Sequence, residues 1–137
     1  STKSELSTGR AVPLKAVIIS GGLADLKASA PVTLESCLAT IMDDLTGEPD
    51  EQRRDVFSDT SLAELLPVDT RLISVNGQRD RIAPPLLGSA FTDAVRAAGG
   101  QADYVEIENA GHVELISPGT EAFNVQAALI EKYLGGP

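Results

Sequence analysis

Two side chains in this sequence have the types and the spacing for acid–base chemistry. Asp80 lies in VNGQRDRIAPP, and His112, the only histidine, lies in ENAGHVELI. Each follows shortly after a run of residues that reads as a β-strand. Their separation of thirty-two positions is what one strand–helix–strand passage requires. If the two strands are parallel neighbours, roughly 4.8 Å apart, their end loops can touch. Functional groups gather at the carboxyl ends of strands in open parallel sheets. There, a carboxylate bonded to one ring nitrogen fixes the imidazole tautomer. It also stabilises the cation formed when the other nitrogen takes a proton. The plainer alternative is that a loop aspartate caps a turn and a lone histidine is structural.

The elements that would position this pair can be read along the chain. Residues 1–10 are polar and read as a solvated end. Residues 14–20 (LKAVIIS) are an almost unbroken apolar run rich in β-branched residues, as expected of a strand covered on both faces. Ser20-Gly21-Gly22 is a tight turn off its end. Residues 23–32 read as a connection that Pro31 keeps out of helix. Thr33 is a candidate N-cap for a helix bearing Leu34, Leu38, Ile41 and Leu45 on one stripe, closed by Gly47 and Pro49. Residues 50–57 read as a short polar helix, and Ser61 with Glu64 has capping-box spacing. Three short helices between two strands exceed a simple crossover and suggest a lid inserted at about 33–66. The second strand is expected at 71–76. A helix follows at about 87–98, with Phe91, Ala94, Val95 and Ala98 inward. The third strand is expected at 103–108, and a last helix has Phe123, Ala127, Ile130 and Leu134 on one face. The pattern is α/β with parallel strands.

Composition narrows the function. A formal charge of −9 with eleven scattered basic residues speaks against nucleic acid and against an anionic membrane surface. No apolar run approaches the ~20 residues of a membrane span. One cysteine, Cys37, excludes an internal disulfide framework and reads as a small buried residue. Asp43, Asp44, Glu48 and Asp50 fit no calcium-loop spacing, so no metal and no cofactor is expected. The residues do not fix a compartment; the cytoplasm is the expectation.

Several segments resemble the α/β-hydrolases. VNGQRDRIAPP is similar to their acid loop, and ENAGHVELISPGTEAF to their histidine loop. LKAVIISGGLADL and FSDTSLAELLP resemble the strand before the lid and the lid's end in prolyl-oligopeptidase-like and kynurenine-formamidase-like esterases. The resemblance runs from Leu14 to Leu134, yet corresponds to only the second half of a complete domain. It implies a partial α/β-hydrolase fold: the last three parallel strands, their flanking helices and a short helical lid. It also implies a serine hydrolase acting on a small-molecule ester or amide, with Asp80 as the orienting acid and His112 as the general base. Asp25 matches an acidic position of the family and reads as a structural cap. Departures are Asn76, where a histidine often stands, and Arg79 and Arg81, which must point away from Asp80 if it serves His112.

The nucleophile that the resemblance calls for, a serine in a G-x-S-x-G elbow, is not in the chain. Ser20 has Ile18 two residues before it, Ser89 follows the acid, and Ser36 and Ser74 fall within a helix and a strand. The glycine-rich oxyanion loop is absent too. The expectation is therefore that residues 1–137 form the C-terminal part of one domain. Strand 14–20 would then have an open edge that pairs with the protein's own N-terminal half, a twin copy or another chain. Two other readings stand beside it. One is a non-catalytic hydrolase-fold remnant acting as an interaction or structural module. The other is a complete flavodoxin- or receiver-like domain, which would need more strands than three and a phosphate loop.

Overall fold

The computed structural model describes residues 13–33 and 41–135. Three parallel strands form one sheet: β1 (Ala16–Ser20), β2 (Arg71–Gly77) and β3 (Ala102–Ile107), in that spatial order. The described residues include four α-helices: α1 (Leu26–Thr33), α2 (Met42–Thr46), α3 (Pro85–Ala97) and α4 (Glu121–Leu134). Single turns of 3₁₀-helix occupy Leu62–Leu65 and Val113–Leu115.

The central strand carries the core. Ile73 and Val75 face α4, packing with Ile107, Leu115 and Ala122, while Leu72 faces α3, packing with Phe91, Val95 and Ala102. The unbroken apolar run of β1 has the same cause. Ala16 and Ile18 serve the α4 side, and Val17 and Ile19 serve the other. Every residue of β1 is nonetheless only half-buried. It pairs with β2 along one edge and, among the described residues, with no strand along the other.

Several helical expectations are corrected. Residues 26–33 are helical despite Pro31. The Asp25 carboxylate accepts the Ala28 N–H at 2.9 Å, the cap expected of it, and the buried Ser61 hydroxyl accepts the Leu26 N–H at 3.1 Å. Capping from within and without outweighs the one bond that proline forgoes. Thr33 is the last residue of α1, and the start of the expected next helix, with Leu34, Cys37 and Leu38, lies outside the described residues. In α2, Met42 and Thr46 are buried while Ile41 and Leu45 are exposed, the reverse of the expected stripe.

Residues 50–57 are not helical. Asp50 Oδ1 accepts the N–H groups of Gln52 and Arg53, both at 2.7 Å, giving the backbone a partner outside any helix. Arg53 spends its guanidinium on the Thr46 and Val56 carbonyls and on Asp59, whose carboxyl it holds below the usual value. The capping box at Ser61 also does not form, because its hydroxyl serves α1. Ser61→Ala would leave the buried Leu26 N–H unpaired. We expect a loss of about 1–2 kcal/mol, read as a lower denaturant midpoint with unchanged slope.

The expected face of α3 holds at Phe91 and Val95 but not at its alanines, and α4 turns a different face inward than periodicity suggests. In α3, Gly88, Phe91, Thr92 and Val95 are buried, and Ala94 and Ala98 are exposed. In α4, Ala122, Val125, Leu129 and Tyr133 meet the core. Phe123, Ile130 and Leu134 remain on the surface, where Phe123, Ala127 and Ile130 join Leu115, Ile116 and Gln126 in a groove of about 180 Å³.

Candidate active site

The site is made where β2 and β3 end. Their register places Gly77 opposite Ile107, so the loops that follow leave the sheet side by side. Backbone bonds tie the two loops: Gln78 N–H donates to the Ile107 carbonyl at 3.0 Å, and Arg79 N–H to the Ala110 carbonyl at 2.8 Å. The Gln78 side-chain oxygen accepts the Asn109 N–H at 3.2 Å. Asn109 turns the histidine loop with φ of 58°, a conformation that asparagine tolerates better than most residues. Gly77 is required for this approach. A Cβ there would stand 2.4 Å from the Ala110 carbonyl oxygen.

Within this frame Asp80 Oδ2 lies 2.8 Å from His112 Nδ1. The other carboxylate oxygen, Oδ1, accepts the backbone N–H groups of Ile82 and Ala83, each at 2.8 Å. Asp80 therefore accepts on both oxygens, and its side chain is fully buried. Nδ1 must donate, so the ring proton is assigned to Nδ1 and the lone pair to Nε2. The imidazole is 36% exposed, and Nε2 has no hydrogen-bond partner among the described residues. The acid is dry and fixed, while the imidazole it holds is partly exposed. Such a pair can take a proton from a neighbouring hydroxyl and hold the resulting cation.

Arg79 and Arg81 are exposed and form no ion pair with Asp80, as its pairing with His112 requires. Supporting residues come from places that the spacing of Asp80 and His112 does not point to. Asn76, buried on β2, donates from Nδ2 to the Ala83 carbonyl at 3.3 Å and steadies the far side of the acid loop. It sits against α3 only because residue 88 is glycine, where a Cβ would lie 2.0 Å from the Asn76 Oδ1. Glu114 Oε2 accepts the Gly111 N–H at 3.1 Å and closes the histidine turn. A glycine followed within three residues by a polar side chain was the available signal for such loop ties, but it is a common pattern.

No serine hydroxyl among the described residues bonds His112. Ser20 Oγ is buried without a partner, Ser89 Oγ donates to the Leu86 carbonyl within α3, and Ser74 is buried inside β2. Tyr104 is no substitute. Burial and the neighbouring Glu106 carboxylate push its phenol above the usual range, and it lies mid-strand on β3. Among the described residues, no group of three or more His, Cys, Asp or Glu side chains could hold a metal ion. None of their helices is long and apolar enough to cross a membrane.

No protein-family model and no curated protein matches the chain. Solved structures do. An esterase from the planctomycete Thermogutta terrifontis superposes with a TM-score of 0.62 at 17% identity, over 88% of this chain and 41% of the esterase. The acylaminoacyl peptidase of Pyrococcus horikoshii gives a TM-score of 0.65 at 15% identity, over 88% of this chain and 19% of the peptidase. The chain thus spans less than half the length of the proteins it resembles. At such identities the likeness concerns fold. The described residues hold part of an α/β-hydrolase fold, three of its parallel strands with their flanking helices.

Proposed function

We propose that this chain supplies the acid and the base of a serine hydrolase that cleaves a carboxylic ester or amide bond in a small molecule. The observation that carries the reading is the 2.8 Å contact between Asp80 and His112 at adjacent strand ends, with Nε2 unpartnered. The esterase and peptidase likenesses support it. In the proposed reaction a serine hydroxyl, supplied from the region N-terminal to these residues, attacks the substrate carbonyl and gives its proton to His112 Nε2. The imidazolium, held by Asp80, then protonates the departing alcohol or amine. Water repeats the sequence on the acyl-serine, so His112 ends as it began. Residues 33–66 would form a lid over the pocket. The free edge of β1 would receive the strand that precedes it in the whole domain, covering its half-buried residues.

A second reading, a non-catalytic module of the same fold, is favoured by one observation. The outer face of α4 presents Phe123, Ile130 and Leu134 to solvent, a surface suited to a protein partner. A fluorophosphonate probe separates the two. Residues 1–137 alone should stay unlabelled, and the protein with its preceding region in place should be labelled at a serine outside these residues. Labelling of residues 1–137 alone would move the nucleophile into this chain. Failure of the longer protein to label would favour the module.

A further inference from the structure

We propose that Gly21 is a positioning residue for His112: its lack of a side chain lets the turn after β1 serve as the wall against which the imidazole is held on Asp80. The inference rests on the hydrolase reading for its purpose, but its geometry stands apart. Gly21 continues the β1–β2 ladder by one bond, its N–H donating to the Val75 carbonyl at 2.8 Å. That bond fixes the turn beside the ends of β2 and β3. Gly21 is buried, with φ of 52°.

A Cβ at this position would lie 3.1 Å from both Cε1 and Nδ1 of His112, and 2.9 Å from Leu115 Cδ1. Leu115 can yield, because the contact is the end of a flexible side chain. The ring cannot yield freely. The edge approached carries Nδ1, the atom bonded to Asp80, and Asp80 is itself held by two backbone N–H groups. A methyl group must therefore displace the ring by a few tenths of an ångström at its bonded edge. That lengthens a hydrogen bond whose strength depends on distance and alignment. One strand thus supplies the acid, the next supplies the base, and the third supplies the surface that keeps the base in place.

With a single histidine in the chain, nuclear magnetic resonance reads this site without ambiguity. In the unmodified 137-residue chain, His112 should show a low-field Nδ1–H signal, protected from solvent exchange. It should also show a cross-peak between the Gly21 α-protons and His112 Hε1. Gly21→Ala should move the Nδ1–H signal upfield and speed its exchange roughly tenfold, as for one charge-assisted hydrogen bond weakened. Gly99→Ala is the control for backbone strain. Gly99 has φ of 84° and nothing within 4 Å of an added Cβ, so the His112 signals should not change.

An unmoved signal in folded Gly21→Ala overturns the proposal and leaves the Asp80–His112 pair intact. A missing low-field signal in the unmodified chain overturns both. If Gly21→Ala does not fold, the cross-peak in the unmodified chain decides: its presence supports the wall, and its absence removes it.

Discussion

Asp80→Asn is expected to leave the protein folded yet lower turnover of the proposed hydrolase by about 10⁴-fold. The reason lies in the three hydrogen bonds that Asp80 accepts. Oδ1 receives the Ile82 and Ala83 N–H groups, so in the variant the amide oxygen must occupy that place. The NH₂ group is then left facing His112 Nδ1 across the 2.8 Å contact. An amide N–H can only donate, so Nδ1 becomes the acceptor and the ring proton moves to Nε2. A base protonated on its outward nitrogen cannot accept a proton from a hydroxyl. Because both backbone N–H groups remain paired, the loop should hold its shape. The predicted signature in residues 1–137 is a change of His112 tautomer by nitrogen shift, with no change in fold. Asp80→Ala should behave differently, since it strands two backbone donors and costs stability as well. Turnover near the parent level in folded Asp80→Asn would remove Asp80 from the mechanism.

Gly77→Ala should have the largest structural effect. The added carbon would meet the Ala110 carbonyl oxygen at 2.4 Å, the Ala110 carbonyl carbon at 2.8 Å and the Gly111 oxygen at 2.9 Å. All three are backbone atoms of the histidine loop, which no rotamer change can move aside. The two loops must part, breaking the Arg79–Ala110 and Gln78–Ile107 bonds and drawing His112 from Asp80. We expect a loss of about 3 kcal/mol, or roughly 10 °C in Tm for a chain of this size. The His112 Nδ1–H signal should vanish in whatever fraction remains folded. An unchanged Tm would mean that the loops are not clamped as described.

Much of the frame was legible because it is written in local patterns. Residues 14–20 and 71–76 are rich in apolar and β-branched residues, residues 103–108 alternate, and Gly21, Gly77 and Asn109 follow them. The structure places strands at Ala16–Ser20, Arg71–Gly77 and Ala102–Ile107. Periodicity failed where a helix has two apolar stripes. In α4 both Phe123-Ala127-Ile130-Leu134 and Ala122-Val125-Leu129-Tyr133 have helical spacing. The β-sheet, not the spacing, selects the second. It failed again at 50–57, where Arg53 reaches Asp59 and the Thr46 and Val56 carbonyls instead of extending a helix.

Sequence alone determined that a carboxylate and the sole imidazole follow successive strands, since strand formation and chain reversal depend on residues near one another. Only the tertiary structure decided that Asp80 meets His112 at bonding distance, that Gly77 and Gly21 give them room, and that Ser61 caps α1 across the fold. Those contacts join residues far apart in the chain. Their geometry is set by strand register and close packing, which no local pattern encodes.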